Sequence, residues 1–266
     1  MHLRFGGATK TGLHRKRNED TYSFAPEERV AVVADGIGGR PRGDVASDVA
    51  AATIVGHVGE HPTEPAASEG PRKIPSRIEA RLVAGIRLAH ERIRRATEAG
   101  WGQGMGTTVV SAVCDDEHAW IAHVGDSRAY RIRDGSLCQL TEDHTMLEAL
   151  RKIHALGDDV GPDTPLRHQL TRALGVDESV DVAVRREEAQ PGDRLLLCSD
   201  GVPHALAPER IVEIVAAHEP DLLAAARALV AAAREAGEPD DTTAVLVAWD
   251  GDADADTVET EALEAR

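Results

Sequence analysis

Short apolar runs bounded by Gly, Asp and Pro recur along the chain and predict a core built mainly from β-strands. The Asp134-Gly135 pair between two of these runs has the composition of a hairpin turn. The predicted strands lie at about 2–8, 30–34, 107–114, 118–124, 127–133, 136–140, 180–186, 193–198 and 242–249.

Apolar residues spaced three to four apart predict helices between these strands. Helices are expected at 44–58, 76–99, 208–217 and 221–236, which gives two sequential pairs. Most strands follow one another directly, so the strict β-α-β alternation of a parallel sheet is not seen. The pattern therefore predicts an α+β fold: a four-layer α-β-β-α sandwich of two antiparallel sheets flanked by helix pairs.

Three segments depart from this regular pattern. Residues 60–75 are rich in Pro, Glu and Ser and predict a surface loop. Residues 141–179 hold one short predicted helix near 145–156 and then several Pro, Gly and Asp residues, which is consistent with a flap beside a catalytic site. Residues 250–266 carry seven acids and one Arg, and we expect them to form a disordered tail.

Charge and cysteine content narrow the classes of partner and compartment. The 266-residue chain has a formal net charge of −16, which argues against nucleic acid or an anionic membrane as a main partner. No apolar stretch has the form of a signal peptide or a membrane span. The three cysteines have no metal-ligand spacing, and Cys114 and Cys198 lie in strand-like runs, so we expect buried thiols and a cytoplasmic setting.

Acidic residues stand next to glycine at the ends of several predicted strands, and they are the candidate chemistry of the chain. They occur in Asp35-Gly36, Gly125-Asp126 and Asp200-Gly201, and a further pair, Asp240-Asp241, precedes the last strand. Carboxylates brought to one rim of a sheet repel one another unless cations neutralise them. Because the donors are oxygens, the expected cations are Mg²⁺ or Mn²⁺ rather than Zn²⁺.

A mixed-charge cluster near the N-terminus adds a possible phosphate contact. In Arg15-Lys16-Arg17-Asn18-Glu19-Asp20, a guanidinium precedes two carboxylates, and guanidinium groups bind phosphate through paired hydrogen bonds. Taken alone, this cluster is more typical of a solvated mixed-charge loop than of a phosphate site. His123 and His144 flank the Asp126 motif, and we expect them to pack or donate hydrogen bonds, because hard cations prefer oxygen.

Taken together and in this order, the motifs resemble those of the metal-dependent Ser/Thr protein phosphatases of the protein phosphatase 2C family, bacterial type. The resemblance runs from about Gly6 to Trp249 and also includes Gly106-Thr107-Thr108. It implies a catalytic domain over residues 1–249 followed by the tail. It also implies hydrolysis of phosphoserine and phosphothreonine by attack of a water that bridges two metal ions, without a covalent phosphoenzyme.

The resemblance assigns a role to each motif residue. Asp35 corresponds to a carboxylate that bridges two metal ions, and the carbonyl of Gly36 corresponds to a ligand of one of them. Asp200 and Asp240 correspond to ligands of the other ion. Arg15 corresponds to a phosphate clamp, whereas Glu19 and Asp20 correspond to carboxylates that orient metal-bound waters. Asp126 corresponds to a residue that, with Asp200, binds a third and weaker ion in bacterial relatives.

Two positions depart from the family pattern. Many eukaryotic members have a His after the Asp-Gly pair, proposed as a general acid, and Ile37 stands there in this chain. The proton for the leaving group must then come from metal-bound water or another group. The closing motif usually reads Asp-Asn, and here Asp241 replaces the Asn, which we expect to alter metal affinity or preference.

Several other functions are compatible with parts of this pattern. A catalytically silent phosphatase-like binding module would keep the fold, but the intact Asp set argues against it. A metal-dependent nuclease would also use clustered carboxylates, but the acidic surface argues against that. A partner-switching phosphatase that acts on an anti-sigma-factor regulator remains an alternative to one that opposes a Ser/Thr kinase. In either case the expected partners are phosphorylated proteins.

Overall fold

The structure is a computed structural model that describes residues 2–38, 42–60, 77–102, 104–156 and 164–251. The predicted loop at 60–75 and the predicted tail at 250–266 lie almost wholly outside the described residues. In chain order the described strands are β1 (His2–Lys10), β2 (Asp20–Ala25), β3 (Val30–Asp35), β4 (Val109–Cys114), β5 (His118–Val124), β6 (Arg128–Arg133), β7 (Ser136–Gln139), β8 (Ala183–Glu188), β9 (Arg194–Cys198) and β10 (Thr242–Asp250).

The strands form two five-stranded antiparallel sheets, as the sequence predicts. One sheet has the order β1-β10-β9-β6-β7 and the other has the order β2-β3-β4-β5-β8. The prediction of strands missed β2, because its sequence, Asp-Thr-Tyr-Ser-Phe-Ala, is half polar and it lies at a sheet edge with mostly half-buried residues.

The main helices lie close to their predicted positions. They are α1 (Gly43–Gly59), α2 (Arg77–Glu98), α3 (Met146–Lys152), α4 (Gly201–Ala205), α5 (Pro208–Ala217) and α6 (Leu222–Glu235). Helix α3 is shorter than predicted: the Thr145 side chain caps its start, and the chain leaves the helix at Ile153 and His154, where φ is +53° at His154. Helix α4 was not predicted, because a helix of five residues is too short to show a helical period in the sequence.

Three apolar layers hold the sandwich together and confirm the four-layer prediction. Between the sheets, residues such as Val33, Ile121 and Leu197 interdigitate. Helices α1 and α2 cover the outer face of the second sheet through residues such as Ile54 and Leu82. A third layer, which includes Leu229 and Leu246, joins α5 and α6 to the first sheet.

The antiparallel pairing brings the acidic motifs to one end of the two sheets. Asp20 is the Cα partner of Asp35 at the ends of β2 and β3. Asp200 follows β9, and Asp241 precedes β10, the strand that pairs with β9. We call this end the acidic rim and define it by Asp20, Asp35, Asp126, Asp200 and Asp240. Among the helices of the described ranges, none is long and apolar enough to span a membrane.

Candidate metal centre

Asp35 and Gly36 lie at the point where the chain leaves β3 and passes close to helix α1. A Cβ at Gly36 would lie 2.5 Å from the backbone carbonyl of Gly43 and 2.8 Å from the carbonyl oxygen of Glu19, so only glycine fits there. The Gly36 amide donates to that Glu19 carbonyl at 3.0 Å. The Asp35 carbonyl accepts from the Thr108 amide and the Thr107 hydroxyl, each at 2.8 Å. The backbone around the Asp-Gly turn is therefore fixed on both sides.

Asp20 joins the two sheets through one of its carboxylate oxygens. Its Oδ2 accepts from the hydroxyls of Ser199 at 2.8 Å and Thr243 at 2.7 Å. Its Oδ1 is buried and has no hydrogen-bond partner among the described residues. Burial raises the pKa of Asp20 to about 7, even though the two hydroxyls favour the charged form. A buried carboxylate oxygen without a donor can be satisfied by a cation or by a water bound to a cation.

Burial and neighbouring negative charge also raise the pKa of Asp35, Asp126 and Asp200. Burial, followed by repulsion from Asp20 and Asp200, raises the pKa of Asp35 well above its usual range. Burial and repulsion from Asp126 and Asp240 raise the pKa of Asp200, whose Oδ1 is also buried without a hydrogen-bond partner in the described structure. Burial and Asp143 raise the pKa of Asp126 to about 6.

These shifts share one cause, which is negative charge brought out of water without enough positive charge beside it. All donors of the acidic rim are oxygens, which suits a hard divalent cation. The two orphan oxygens, on Asp20 and Asp200, show that the donor set has room for such ions. The residues present therefore fit the predicted metals.

Arg15 lies at the margin of the acidic rim. Its Nε and Nη2 contact Asp240 Oδ1 at 2.9 and 2.7 Å, and its Nη1 donates to Glu19 Oε2 at 3.3 Å. A Cβ at Gly38 would lie 2.6 Å from Arg15 Nη2, so the guanidinium packs directly on the backbone there. The structure thus brings Arg15 and Glu19 into contact, and the Arg15 side chain is 29% exposed.

The Asp241 side chain accepts hydrogen bonds from two backbone amides. Its Oδ1 accepts from Gly12 at 2.8 Å and its Oδ2 accepts from Glu19 at 2.7 Å. Both oxygens are therefore used to hold the segment that carries Arg15. The Asp in place of the usual Asn has a structural use here, which the sequence analysis did not foresee.

The Asp126 turn is fixed by its neighbours rather than by an ion pair with Arg128. Arg128 is bound to Asp143 through Nε to Oδ1 at 2.8 Å and Nη2 to Oδ2 at 2.6 Å. The Gly125 amide donates to His144 Nδ1 at 3.1 Å, and φ at Gly125 is +106°, which favours glycine. Asp126 itself is 8% exposed.

The histidines and cysteines behave as the sequence predicts. His123 Nε2 lies 2.8 Å from the carbonyl oxygen of Glu142, and the His123 and His144 rings stack with centroids 4.6 Å apart. Cys114 and Cys198 are buried free thiols, and Cys138 is exposed. Burial raises the pKa of the Cys198 thiol, so it is no nucleophile.

The hydroxyls of Ser199 and Thr243, which support the rim, were not predicted from the sequence, and Ile37 was noted there only as the residue in place of a His. Ser199 and Thr243 were visible as neighbours of Asp200 and Asp241, but their shared contact with Asp20 depends on the pairing of β9 and β10. The Ile37 amide donates to the Gly106 carbonyl at 3.0 Å, and its side chain packs near Gly106. An apolar side chain occupies the position of the family's proposed general acid.

Comparison with known families agrees with this geometry. Residues 14–249 match the protein phosphatase 2C family. The chain belongs to that family, the metal-dependent Ser/Thr protein phosphatases. Listeria welshimeri serine/threonine phosphatase stp is 33% identical over 251 residues, which cover 93% of this chain and 95% of the relative.

Two further comparisons place the chain within the protein phosphatase 2C family. It is 33% identical over 246 residues to the serine/threonine protein phosphatase PstP of Mycobacterium tuberculosis, a match that covers 92% of this chain but 44% of PstP. The chain thus spans less than half the length of that relative. The PstP catalytic domain, solved with 2 manganese ions, is 31% identical with a TM-score of 0.75 and covers 92% of this chain and 97% of its own.

Proposed function

We propose that this chain hydrolyses phosphoserine and phosphothreonine in proteins at the acidic rim, with two Mn²⁺ or Mg²⁺ ions. The observation that carries the proposal is the pair of buried carboxylate oxygens, on Asp20 and Asp200, that have no hydrogen-bond partner among the described residues. They lie within a set of carboxylates that raise one another's pKa. The same observation argues against a catalytically silent module, in which nothing would maintain this unfavourable arrangement.

Asp35 would take part in holding both ions. The Gly36 carbonyl would contribute to one of them, and Asp200 and Asp240 would hold the other. When bound, such a pair supplies a water nucleophile near neutral pH and neutralises charge on the phosphoryl oxygens. Asp20 has Oδ2 fixed by Ser199 and Thr243, so its Oδ1 is held in a set direction to accept from a water. Glu19, at the margin of the rim, would also accept from and orient such a water.

Arg15 would bind the substrate phosphate. In the structure the guanidinium is held by Asp240 and Glu19 on one side and packs against Gly38 on another. Its planar group offers five N–H donors, so it can keep one carboxylate contact and present other donors to a phosphate. Repulsion between Asp240 and the phosphate would be offset by the metal charge.

Asp126, with Asp200, would bind a third and weaker ion. Asp126 lies on a rigid turn, and its carboxylate is not engaged by Arg128, which is bound to Asp143. A site with only two protein carboxylates leaves most of the coordination to water, so a hard cation gains little by entering it. We therefore assign this site to turnover rather than to folding.

The proposed partners are phosphorylated proteins made by a Ser/Thr kinase, and neither nucleic acid nor membrane is proposed as a partner. We assign residues 1–249 to the catalytic domain and 250–266 to an acidic tail. The free thiols of Cys114, Cys138 and Cys198 favour the cytoplasm as the compartment.

The test is hydrolysis of phosphoserine and phosphothreonine peptides by purified protein after chelation and after return of Mn²⁺. We expect no phosphate release in EDTA and full recovery with Mn²⁺ or Mg²⁺, since the nucleophile depends on the ions. The Asp35→Asn variant controls for contaminating phosphatase and should stay inactive with Mn²⁺. Equal phosphate release in EDTA and in Mn²⁺ would refute the proposal.

A further inference from the structure

Two histidines lie close to Asp200. His204 lies one turn beyond Asp200, in helix α4, and its Nδ1 is 3.5 Å from Asp200 Oδ2. His168 ends the 3-10 helix Pro165–His168, which belongs to the 141–179 segment. The two imidazole rings meet edge to face with centroids 5.5 Å apart. One ligand atom from each of the three residues lies within 4.8 Å of the others.

The donor set of this cluster differs from that of the acidic rim. Two imidazole nitrogens and one carboxylate oxygen are the ligands that zinc takes in sites where a fourth position is left to water. Mg²⁺ and Mn²⁺ prefer oxygen donors, so we expect them to bind this cluster more weakly than Zn²⁺ does. The two oxygens of Asp200 also face different partners: Oδ2 lies toward His204, whereas Oδ1 is buried without a hydrogen-bond partner in the described residues.

We propose that His168, His204 and Asp200 form a site for Zn²⁺ or a similar transition metal, distinct from the oxygen-only rim. The site shares Asp200 with the rim and joins the 141–179 segment to helix α4. A zinc ion bound there withdraws electron density from Asp200 and fixes the 3-10 helix beside the rim. Occupancy of the two sites is therefore linked, and by reciprocity each metal weakens the other.

The test is Zn²⁺ binding to Mn²⁺-saturated protein, measured by calorimetry, with Co²⁺ as a spectroscopic probe. The key variant is His168→Asn, because His168 is exposed and its replacement does not disturb the core. The matched control is His154→Asn: His154 is exposed in the same segment, and Asn tolerates its φ of +53°. Wild type and control should bind Zn²⁺ equally.

For His168→Asn we expect Zn²⁺ affinity to fall by at least about tenfold, since a direct ligand matters more than an outer-sphere one. The visible absorption of Co²⁺ bound with imidazole ligands should also be lost. A second variant, His204→Gln, should behave in the same way if its thermal unfolding stays cooperative. Zn²⁺ affinity and Co²⁺ absorption that are the same in His168→Asn and wild type would overturn the proposal.

Measuring the release of Mn²⁺ distinguishes Zn²⁺ binding at this site from replacement of the rim ions by Zn²⁺. Free Mn²⁺ has a distinct electron paramagnetic resonance signal. If Zn²⁺ acts only by replacing the rim ions, it releases Mn²⁺ equally from wild type and His168→Asn, and the proposal fails. Binding that depends on His168 supports it. Both readouts are of metal binding, so the result stands whether or not the chain proves to be a phosphatase.

Discussion

The two ends of the β-sandwich both carry buried acids, but the charges that surround those acids differ. At the end opposite the acidic rim, Arg133 binds Asp193 through Nε at 2.7 Å and Nη2 at 2.5 Å. Arg4 and Arg194 contact Asp250. Burial alone would raise the pKa of Asp250, but these arginines hold that pKa below its usual value.

At the acidic rim, the charges close to the buried acids are mainly negative. Asp20 and Asp35 lie at the ends of paired strands, and burial and repulsion raise the pKa of both. Arg15 reaches the margin, where it contacts Asp240 and Glu19. Aspartates at the two ends of the β-sandwich thus have opposite electrostatic surroundings. A buried acid with an arginine stabilises the fold, whereas a buried acid without one is available to a metal.

Asp200 and Asp193 flank strand β9 at its two ends and allow the sharpest test of this contrast. Asp200→Asn should weaken Mn²⁺ binding and lower kcat/KM by at least about a hundredfold, because a direct ligand is lost. The metal-free variant should unfold at an equal or higher temperature, because repulsion from Asp126 and Asp240 is relieved. Calorimetric metal titration, phosphopeptide kinetics and thermal unfolding measure these effects.

Asp193→Asn is the matched control at the other end. Removing the charge leaves Arg133 without its carboxylate, so the free energy of unfolding should fall by about 1.5–3 kcal/mol. Mn²⁺ affinity should remain that of wild type. If Asp193→Asn impaired metal binding as strongly as Asp200→Asn, the two ends would not differ as described.

A smaller effect is expected at Asp126. Asp126→Ala should lower kcat by about tenfold while the two tighter ions still bind, because only the third ion loses a protein ligand. The Mn²⁺ concentration for half-maximal rate should rise, and thermal unfolding should change little. An unchanged rate and an unchanged metal count would make Asp126 a structural turn residue.

The two ends should also respond differently to pH. A carboxyl whose folded pKa is raised holds its proton more tightly when folded, so metal-free protein loses stability as pH rises through about 6 to 7, where Asp126 and Asp20 titrate. Mn²⁺ removes this penalty, so the rise in Tm on adding Mn²⁺ should grow between about pH 5.5 and about pH 8. Asp250, with a lowered pKa, loses its stabilising contribution only below about pH 4. A Mn²⁺ effect on Tm that is independent of pH would contradict this account.

The smallest effect is expected at Asp241. Asp241→Asn should change Mn²⁺ affinity by less than about tenfold, because both Asp241 carboxylate oxygens already accept from the amides of Gly12 and Glu19. One of those amides loses its acceptor, which costs about 1 kcal/mol, partly offset by relief of repulsion with Asp240. Loss of metal binding equal to that of Asp200→Asn would show that Asp241 is a ligand.

The sequence predicted those parts of the fold that depend on local pattern. The apolar runs around Val33 and Leu197 and the helical face of α2 are long and periodic, so their positions were clear. Strand β2 was missed because its polar edge has no such pattern and pairs with β3 only through tertiary contact. The short helix α4, which carries His204, was missed for a similar reason.

For the site, ordered motifs identified the acids but not their partners. Adjacent residues Asp240 and Asp241 have the same side chain, and only the fold shows that Asp240 contacts Arg15 while Asp241 binds backbone. The approach of His168 to Asp200 joins residues far apart in sequence, through a segment without periodicity. Such contacts depend on packing between distant elements, which no local pattern encodes.

The most direct test of the central claim is anomalous diffraction from crystals grown with Mn²⁺, with data collected at the manganese absorption edge. The account predicts two strong anomalous peaks at the acidic rim, within bonding distance of Asp35, Asp200 and Asp240 oxygens, and none beside Asp193 or Asp250. Phosphopeptide turnover in the same protein should require both ions. Absence of anomalous density at the rim, in protein that hydrolyses phosphopeptides, would contradict the account.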